Sequence, residues 1–427
     1  KQNHAGLIKL TGKILRSVAC IVLLLYIGAV TLLHVPSFQV KLGEVVSTYL
    51  SEYLETEVHI GSINAGLLNQ LVINDVVIND KSGEKCLVAT KANATIEILP
   101  LLKKDIIISS LQLSGLSAIT YKDSEDSPLN IQFIINKLSS KESDAEKHQF
   151  KIESLVVKNS NLQYDKHYKE KSNSFDINHI DLSNLELVAN IHSLDTNNIN
   201  VDVKKLSFTE KNSSVVLNDL SANISNNDNI INIKHPVVNI NSSILKSDSI
   251  TIDLTNSQAV NIQGNLFDTS IIPSDFYCLS KDIPEIEKPL LVSTNFEYTP
   301  GRLILNDFKA KSQDQSISVD GSVELSQNSA DGTFADVRLN EFSIDTKELP
   351  YYLSFAGLKI PQNIDFLKLG VVKAIGDFKL SPDKYSANTV IKTSIGDIKV
   401  DGDFTDHKLF KGHVETSSLH INQALSD

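Results

Sequence analysis

The sequence predicts a mainly β protein. An N-terminal transmembrane helix and an amphipathic helix lead into a long, twisted, curled antiparallel or mixed sheet that forms an elongated, taco-like apolar groove, with few short helices. Three observations predict this: an uncharged apolar run near the N-terminus, a stretch of helical spacing behind it, and alternation at period two from about Val58 onward. In that last region one phrase recurs eight times: apolar, any, apolar, two polar, apolar, any, apolar.

Residues 1–16 carry Lys1, Lys9, Lys13 and Arg16, and no acidic residue precedes Glu44. From Ser17 to Leu33 the chain reads SVACIVLLLYIGAVTLL without a charge, at the short end of what spans a bilayer. The positive-inside rule then makes 1–16 a cytoplasmic tail, 17–34 the anchor, and everything after it the far side. A cleaved signal peptide is the alternative, although no clean A-x-A site follows. Cys20 precedes most of the apolar run, so it reads as a small apolar helix residue and not as a lipidation site.

Residues 35–56 form the predicted amphipathic helix. Phe38, Leu42, Val45, Val46, Tyr49, Leu50, Tyr53 and Leu54 recur at helical spacing, and Ser37 after Pro36 suits an N-cap. The apolar stripe has two fates open to it, the membrane surface or the end of a sheet.

The β region, 57–427, holds the eight phrases: LVINDVVI (71–78), IIISSLQL (106–113), FKIESLVV (150–157), FDINHIDL (175–182), VDVKKLSF (201–208), VVLNDLSA (215–222), LILNDFKA (303–310) and VRLNEFSI (337–344). In VDVKKLSF the apolar residues share a face only if the chain slips by one between Val203 and Leu206, leaving Asp202 and Ser207 on the other side. A β-bulge supplies that slip and adds twist. A two-residue hairpin turn would also return the flanks to one face, but central pairs such as Lys-Lys or Ser-Ser lack the Gly that such turns favour. The inward positions are therefore the candidate groove lining: Ile73, Val76, Ile108, Leu111, Leu113, Ile152, Leu155, Val157, Ile177, Ile180, Val201, Val203, Leu206, Phe208, Leu305 and Phe308.

Short helices are predicted at Asn130–Leu138, around Ser274–Leu279 and at Thr346–Leu353, with a polar linker at 139–149. Turns are predicted at Asp320-Gly321, Asp331-Gly332 and Asp401-Gly402.

Composition narrows the function. A net charge of −12 without clustered Lys or Arg beyond the N-terminus argues against a nucleic-acid partner. The 3 cysteines form no metal or disulfide pattern. The 11 His include no HExxH, and no GxSxG, P-loop or GxGxxG stands at a strand–helix junction, so neither an enzyme, a metal site nor a cofactor is expected. Aromatic residues make up only 6% of the chain and Trp is absent, whereas sandwich cores are anchored by large aromatics. An inward face of Ile, Leu and Val suits acyl chains instead. The absence of Met, even at position 1, and the strand-like sequence at Asp427 suggest a piece of a longer protein.

The order of anchor, VPSFQVKLGEVVSTYLSEYLETEVHIGSI, LVINDVVIND, ILPLLKKDIIISSLQLSG and NIQFIINKL resembles the N-terminal part of TamB-type translocation and assembly module proteins of the AsmA-like superfamily, in the form found in Bacteroidetes. The likeness is strongest over residues 30–140 and recurs at LGVVKAIGDFKL and TSIGDIKVDGDF (369–404). It implies a single-pass protein of the Gram-negative inner membrane whose β-groove crosses the periplasm and carries phospholipid as cargo toward the outer membrane. The alternative role is a scaffold for outer-membrane barrel assembly with a TamA-like partner, acting through β-augmentation.

Overall fold

The computed structural model describes residues 20, 21, 24, 27, 28, 31, 32, 34–65, 69–101, 103, 105–139, 150–172, 175–195, 198–256, 259–279, 283–328, 332–355, 365–405 and 409–420. The predicted tail, linker residues 140–149, Asp331 and most of the 17–34 span lie outside them. Those residues of the span that are described, from Cys20 to Leu32, are helical. Among the described residues no helix is long and apolar enough to cross a membrane.

Strands dominate: β1 (Val58–Ala65), β2 (Gln70–Asn79), β3 (Lys85–Ile96), β4 (Ile106–Lys122), β5 (Phe150–Ile152), β6 (Ser154–Lys166), β7 (His179–Asp195), β8 (Asn198–Glu210), β9 (Val216–Asn227), β10 (Ile230–Ile240), β11 (Ser243–Lys246), β12 (Ser249–Asp253), β13 (Asn261–Ile271), β14 (Leu290–Thr299), β15 (Arg302–Ser312), β16 (Ile317–Asn328), β17 (Gly332–Asp345), β18 (Val371–Leu380), β19 (Lys384–Thr393), β20 (Gly396–Thr405) and β21 (Leu409–Ser417). They belong to one 21-stranded mixed sheet. Helices are few: α1 (Pro36–Leu54), α2 (Gln132–Ser139), α3 (Leu349–Phe355) and single turns at Ile98–Leu101, Pro273–Phe276 and Phe366–Leu369. The chain divides into two compact units, Lys1–Lys171 with Asp176–Ile191, and Ser172–Phe175 with His192–Asp427.

In the first unit β1 to β4 form an antiparallel meander. β4 then runs parallel to β5 and β6; α2 lies in the crossover that a parallel pair requires. β7 returns antiparallel to β6. α1 closes the first edge of the meander. Its Ser47 and Ser51 hydroxyls accept the Ile60 and Val58 amides at 2.8 and 2.9 Å, covering edge donors that would otherwise invite another strand. Leu42, Val46 and Leu50 pack with Leu54 on Val58, Ile60 and Ile63, so this stripe of the helix took the sheet and not the membrane. Gly43 permits the approach: a Cβ there would stand 2.8 Å from the Ile60 carbonyl oxygen. The predicted cap at Ser37 is not used. Val35 is the N-cap without a side-chain bond, and Pro36 opens the helix, where its missing amide costs nothing.

The second unit is an antiparallel meander from β8 to β21. β11 and β12 hold one common register against β10 and are interrupted only at Ser247–Asp248.

The recurring phrase is chiefly a bulge. Register shifts fall between Val203 and Leu206, beside Asn218, between Leu305 and Phe308, between Leu339 and Phe342, and at Ser109. LVINDVVI behaves differently. Asp75 takes a left-handed φ of 55°, but β1 and β3 on either side keep one register past it. FKIESLVV breaks at Glu153 between β5 and β6. FDINHIDL is a turn leading into β7, not a bulged strand. Two predicted turns are also corrected. Asp320-Gly321 and Asp401-Gly402 lie inside β16 and β20, and glycine serves there for close backbone approach: a Cβ at Gly321 would overlap the Arg338 carbonyl oxygen, opposite the bulge in β17. The expected helices at 130–138 and 346–353 appear shifted by a few residues as α2 and α3, and the 274–279 segment holds only a single 3-10 turn at Pro273–Phe276.

Candidate ligand-binding face

Residues directly opposite in a ladder share a face of the sheet, so register alone assembles the candidate site of the second unit. Starting from the predicted Val201, the chain of opposite partners runs Ile224, Ile233, Ile250, Gly264, Phe296, Leu305, Val323, Val337, Phe378, Ala387, Gly402 and Gly412. No member is polar. At ~4.8 Å per strand the row is ~58 Å long. The other face reads differently: Gln263, Glu297, Ile304, Glu324, Asp336, Lys379, Ser386, Asp403 and Lys411 are successive partners there, and Arg302–Glu324, Lys379–Asp336 and Lys384–Asp403 pair at 2.7, 3.3 and 2.9 Å.

A second apolar row lies two residues nearer the tight hairpins: Tyr298, Leu303, Leu325, Ala335, Leu380, Tyr385, Phe404 and Phe410. It stays open to solvent. Tyr298 is 40%, Leu325 38%, Leu380 42% and Phe410 44% exposed, a contiguous apolar surface of the kind that marks a binding face. Toward β8 this row meets one polar residue, Asn226 between Ile199 and Ile231, whose buried Oδ1 has no hydrogen-bond partner.

The bulges keep this face continuous. Val203 and Leu206 oppose Ala222 and Leu220, while Leu305 and Phe308 oppose Val323 and Gly321, so each pair stays on one side despite the slip. Bulges leave backbone groups unpaired, and buried hydroxyls take them up. Thr294 donates to the Asn306 carbonyl at 3.0 Å, Thr389 to that of Ile375 at 2.9 Å, and Ser160 accepts the Leu116 amide at 3.1 Å.

Most predicted lining residues are half-buried strand residues, and Val157 and Val203 are buried. Leu111 opposes Leu155, Leu113 opposes Val157, Ile108 opposes Ile152, and Val201, Val203, Leu206 and Phe208 share one face. Ile180 opposes Tyr164. Ile73 opposes Ile63 and belongs to the core under α1, with Val76 next to it opposite Ile60. Ile177 is a correction: it sits in the turn before β7 at 69% exposure, because its phrase never becomes a strand. The aromatic second row was missed, since most of its residues stand at strand ends outside the phrase. The register of the hairpins was the only signal that could have found it.

Two polar clusters in the first unit are structural clamps. Asp80, 2% exposed, accepts from Ser82, Tyr121 and Asn130 at 2.5, 2.8 and 3.3 Å. Burial, the largest influence, pushes its pKa up, but these hydrogen bonds together outweigh it and hold the carboxyl at about 2. Burial and the nearby Asp80 charge push the Cys86 thiol up to about 11. His179, 5% exposed, places Nδ1 2.6 Å from Asp165 and Nε2 3.1 Å from the Lys169 carbonyl, pinning the β6–β7 connection. Among the described residues no group of three His, Cys, Asp or Glu side chains could hold a metal ion.

No family model, curated protein or solved structure matches the chain.

Proposed function

We propose that the protein is a membrane-anchored lipid conduit of the Gram-negative inner membrane, TamB-like in organisation, with its bulk in the periplasm and its apolar sheet face guiding phospholipid toward the outer membrane. The observation that carries this reading is the unbroken apolar row from Val201 to Gly412 with the solvent-open row beside it. Taking two acyl chains of ~16 carbons into water costs ~25 kcal/mol at ~0.8 kcal/mol per CH₂. A continuous apolar track removes most of that barrier without any chemical step, and phospholipid is the cargo, not a resident cofactor. Head groups stay in solvent, since the track binds chains and offers no aligned row of charges.

The test is in-cell photo-crosslinking from a photoreactive residue placed singly at Val203, Leu206, Asp202 or Ser207. Lipid adducts at Val203 and Leu206 alone are expected. Lipid at none of the four would sink the reading.

A second reading, a scaffold that accepts strands of outer-membrane proteins beside a TamA-like barrel, draws on one observation. All nine residues of β21 are exposed, and among the described residues β21 bonds only β20. An edge of that kind is a template for β-augmentation.

A further inference from the structure

We infer that α1 lies with one side in the membrane interface, so that Val45 and Tyr49 rest among lipid head groups while the neighbouring stripe of the same helix holds the sheet. The inference rests on the anchor reading above. Three observations carry it. First, the apolar arc of α1 is wider than the sheet can cover. At 100° per residue the arc from Val45 to Leu54 spans about half the circumference, yet only the Leu42, Val46 and Leu50 side packs on β1. Val45 and Tyr49 remain 57% and 65% exposed.

Second, the exposed stripe has interfacial chemistry. The rings of Tyr49 and Tyr53 stack with centroids 6.4 Å apart, which presents two apolar bodies with polar tips, the combination enriched where hydrocarbon meets water. Lys137 of α2 sits over the Tyr53 ring at 5.2 Å and its carbonyl accepts the Tyr53 hydroxyl at 3.4 Å, so α2 braces the C-terminal end of the stripe and Tyr49 is its open end.

Third, exposed apolar residues run along the chain from α1 back into the uncharged run. Leu32 and the N-cap residue Val35 are 47% and 43% exposed, and Ile21, Leu24 and Ile27 are exposed helical residues of that run. A chain leaving a bilayer at about residue 34 meets α1 with no intervening linker, which holds α1 at the surface.

The chain contains no Trp, so a single indole reports its own surroundings. The full chain would be reconstituted into phosphatidylethanolamine–phosphatidylglycerol vesicles whose acyl chains are brominated near the head group, as Tyr49→Trp, as Val45→Trp and, on the polar arc, as Thr48→Trp. Tyr49→Trp and Val45→Trp should show blue-shifted emission and a roughly two-fold loss of intensity to the bromines, and Thr48→Trp neither. Vesicle flotation separates the two readings. A chain that floats with no quenching at 45 or 49 overturns this inference, leaves the anchor standing and assigns the stripe to a protein partner. Equal quenching at all three positions also overturns it. A chain that does not float overturns the anchor and this inference together.

Discussion

The hydroxyl of Thr294, 6% exposed, donates to the main-chain carbonyl of Asn306 at 3.0 Å, on the strand where Asn306 and Asp307 oppose a single residue of β16. A side chain on one strand thus repairs the ladder of the next. Thr269 does the same beside the Phe267–Asp268 bulge, accepting the Lys246 amide at 3.1 Å, so the apolar face bends without leaving orphaned backbone beneath it.

Thr294→Val should therefore destabilise the protein by about 1–3 kcal/mol, the cost of leaving a buried acceptor unmade, and Thr294→Ser by much less. Urea denaturation of the variants checks this; equal midpoints would refute the repair role.

Asp307 holds a left-handed φ of 51°. Asp307→Val, which puts a β-branched residue there, should cost about 1–2 kcal/mol, whereas Asp307→Gly should be tolerated. The same denaturation series reads the contrast, and a tolerated Val would mean that the bulge relaxes.

The Asp80 carboxyl has a folded pKa of about 2 against an ordinary value of 3.8. Its folded pKa is depressed, so its contribution is present above pH 3.8 and lost as pH falls through about 2. The expected size is about 2 kcal/mol. Asp80→Asn should lower stability at neutral pH and flatten its dependence between pH 5 and 2; an unchanged acid limb would rule the clamp out.

Cys86 is 1% exposed and its thiol is pushed up to about 11, whereas Cys20 is exposed. Maleimide should reach Cys86 only after unfolding, which mass spectrometry of the Cys86 peptide resolves; labelling of Cys86 in the native protein would refute its burial.

Val337→Glu would place a charge in the middle of the apolar row, next to Asp336 on the charged face. Lipid recovered with the purified protein should fall several-fold with Val337→Glu and hold with Asp336→Glu, since only the first introduces a charge that acyl chains must pass. Unchanged lipid in both variants would speak against the row as the track.

The sequence by itself determined what period and composition can encode. VDVKKLSF and LILNDFKA announce bulged strands because apolar residues share a face there only after a one-residue slip, and the slip is a local property. The run from Pro36 to Leu54 announces its helix by spacing in the same way. What only the tertiary structure decided is non-local. The row from Val201 to Gly412 exists because each hairpin fixes a register with the next, and no strand carries that information alone. Asp320-Gly321 and Asp401-Gly402 read as turns until the neighbouring strands show why the glycine is there, with the Arg338 carbonyl pressed on one and Gly412 on the other. Ile177 carried the right pattern in the wrong place: a turn before β7, with no partner strand opposite it, exposes an apolar residue whatever its neighbours spell. α1 divides the same way, since its sequence sets the width of its apolar arc, but only packing on β1 decides which half is left for another surface.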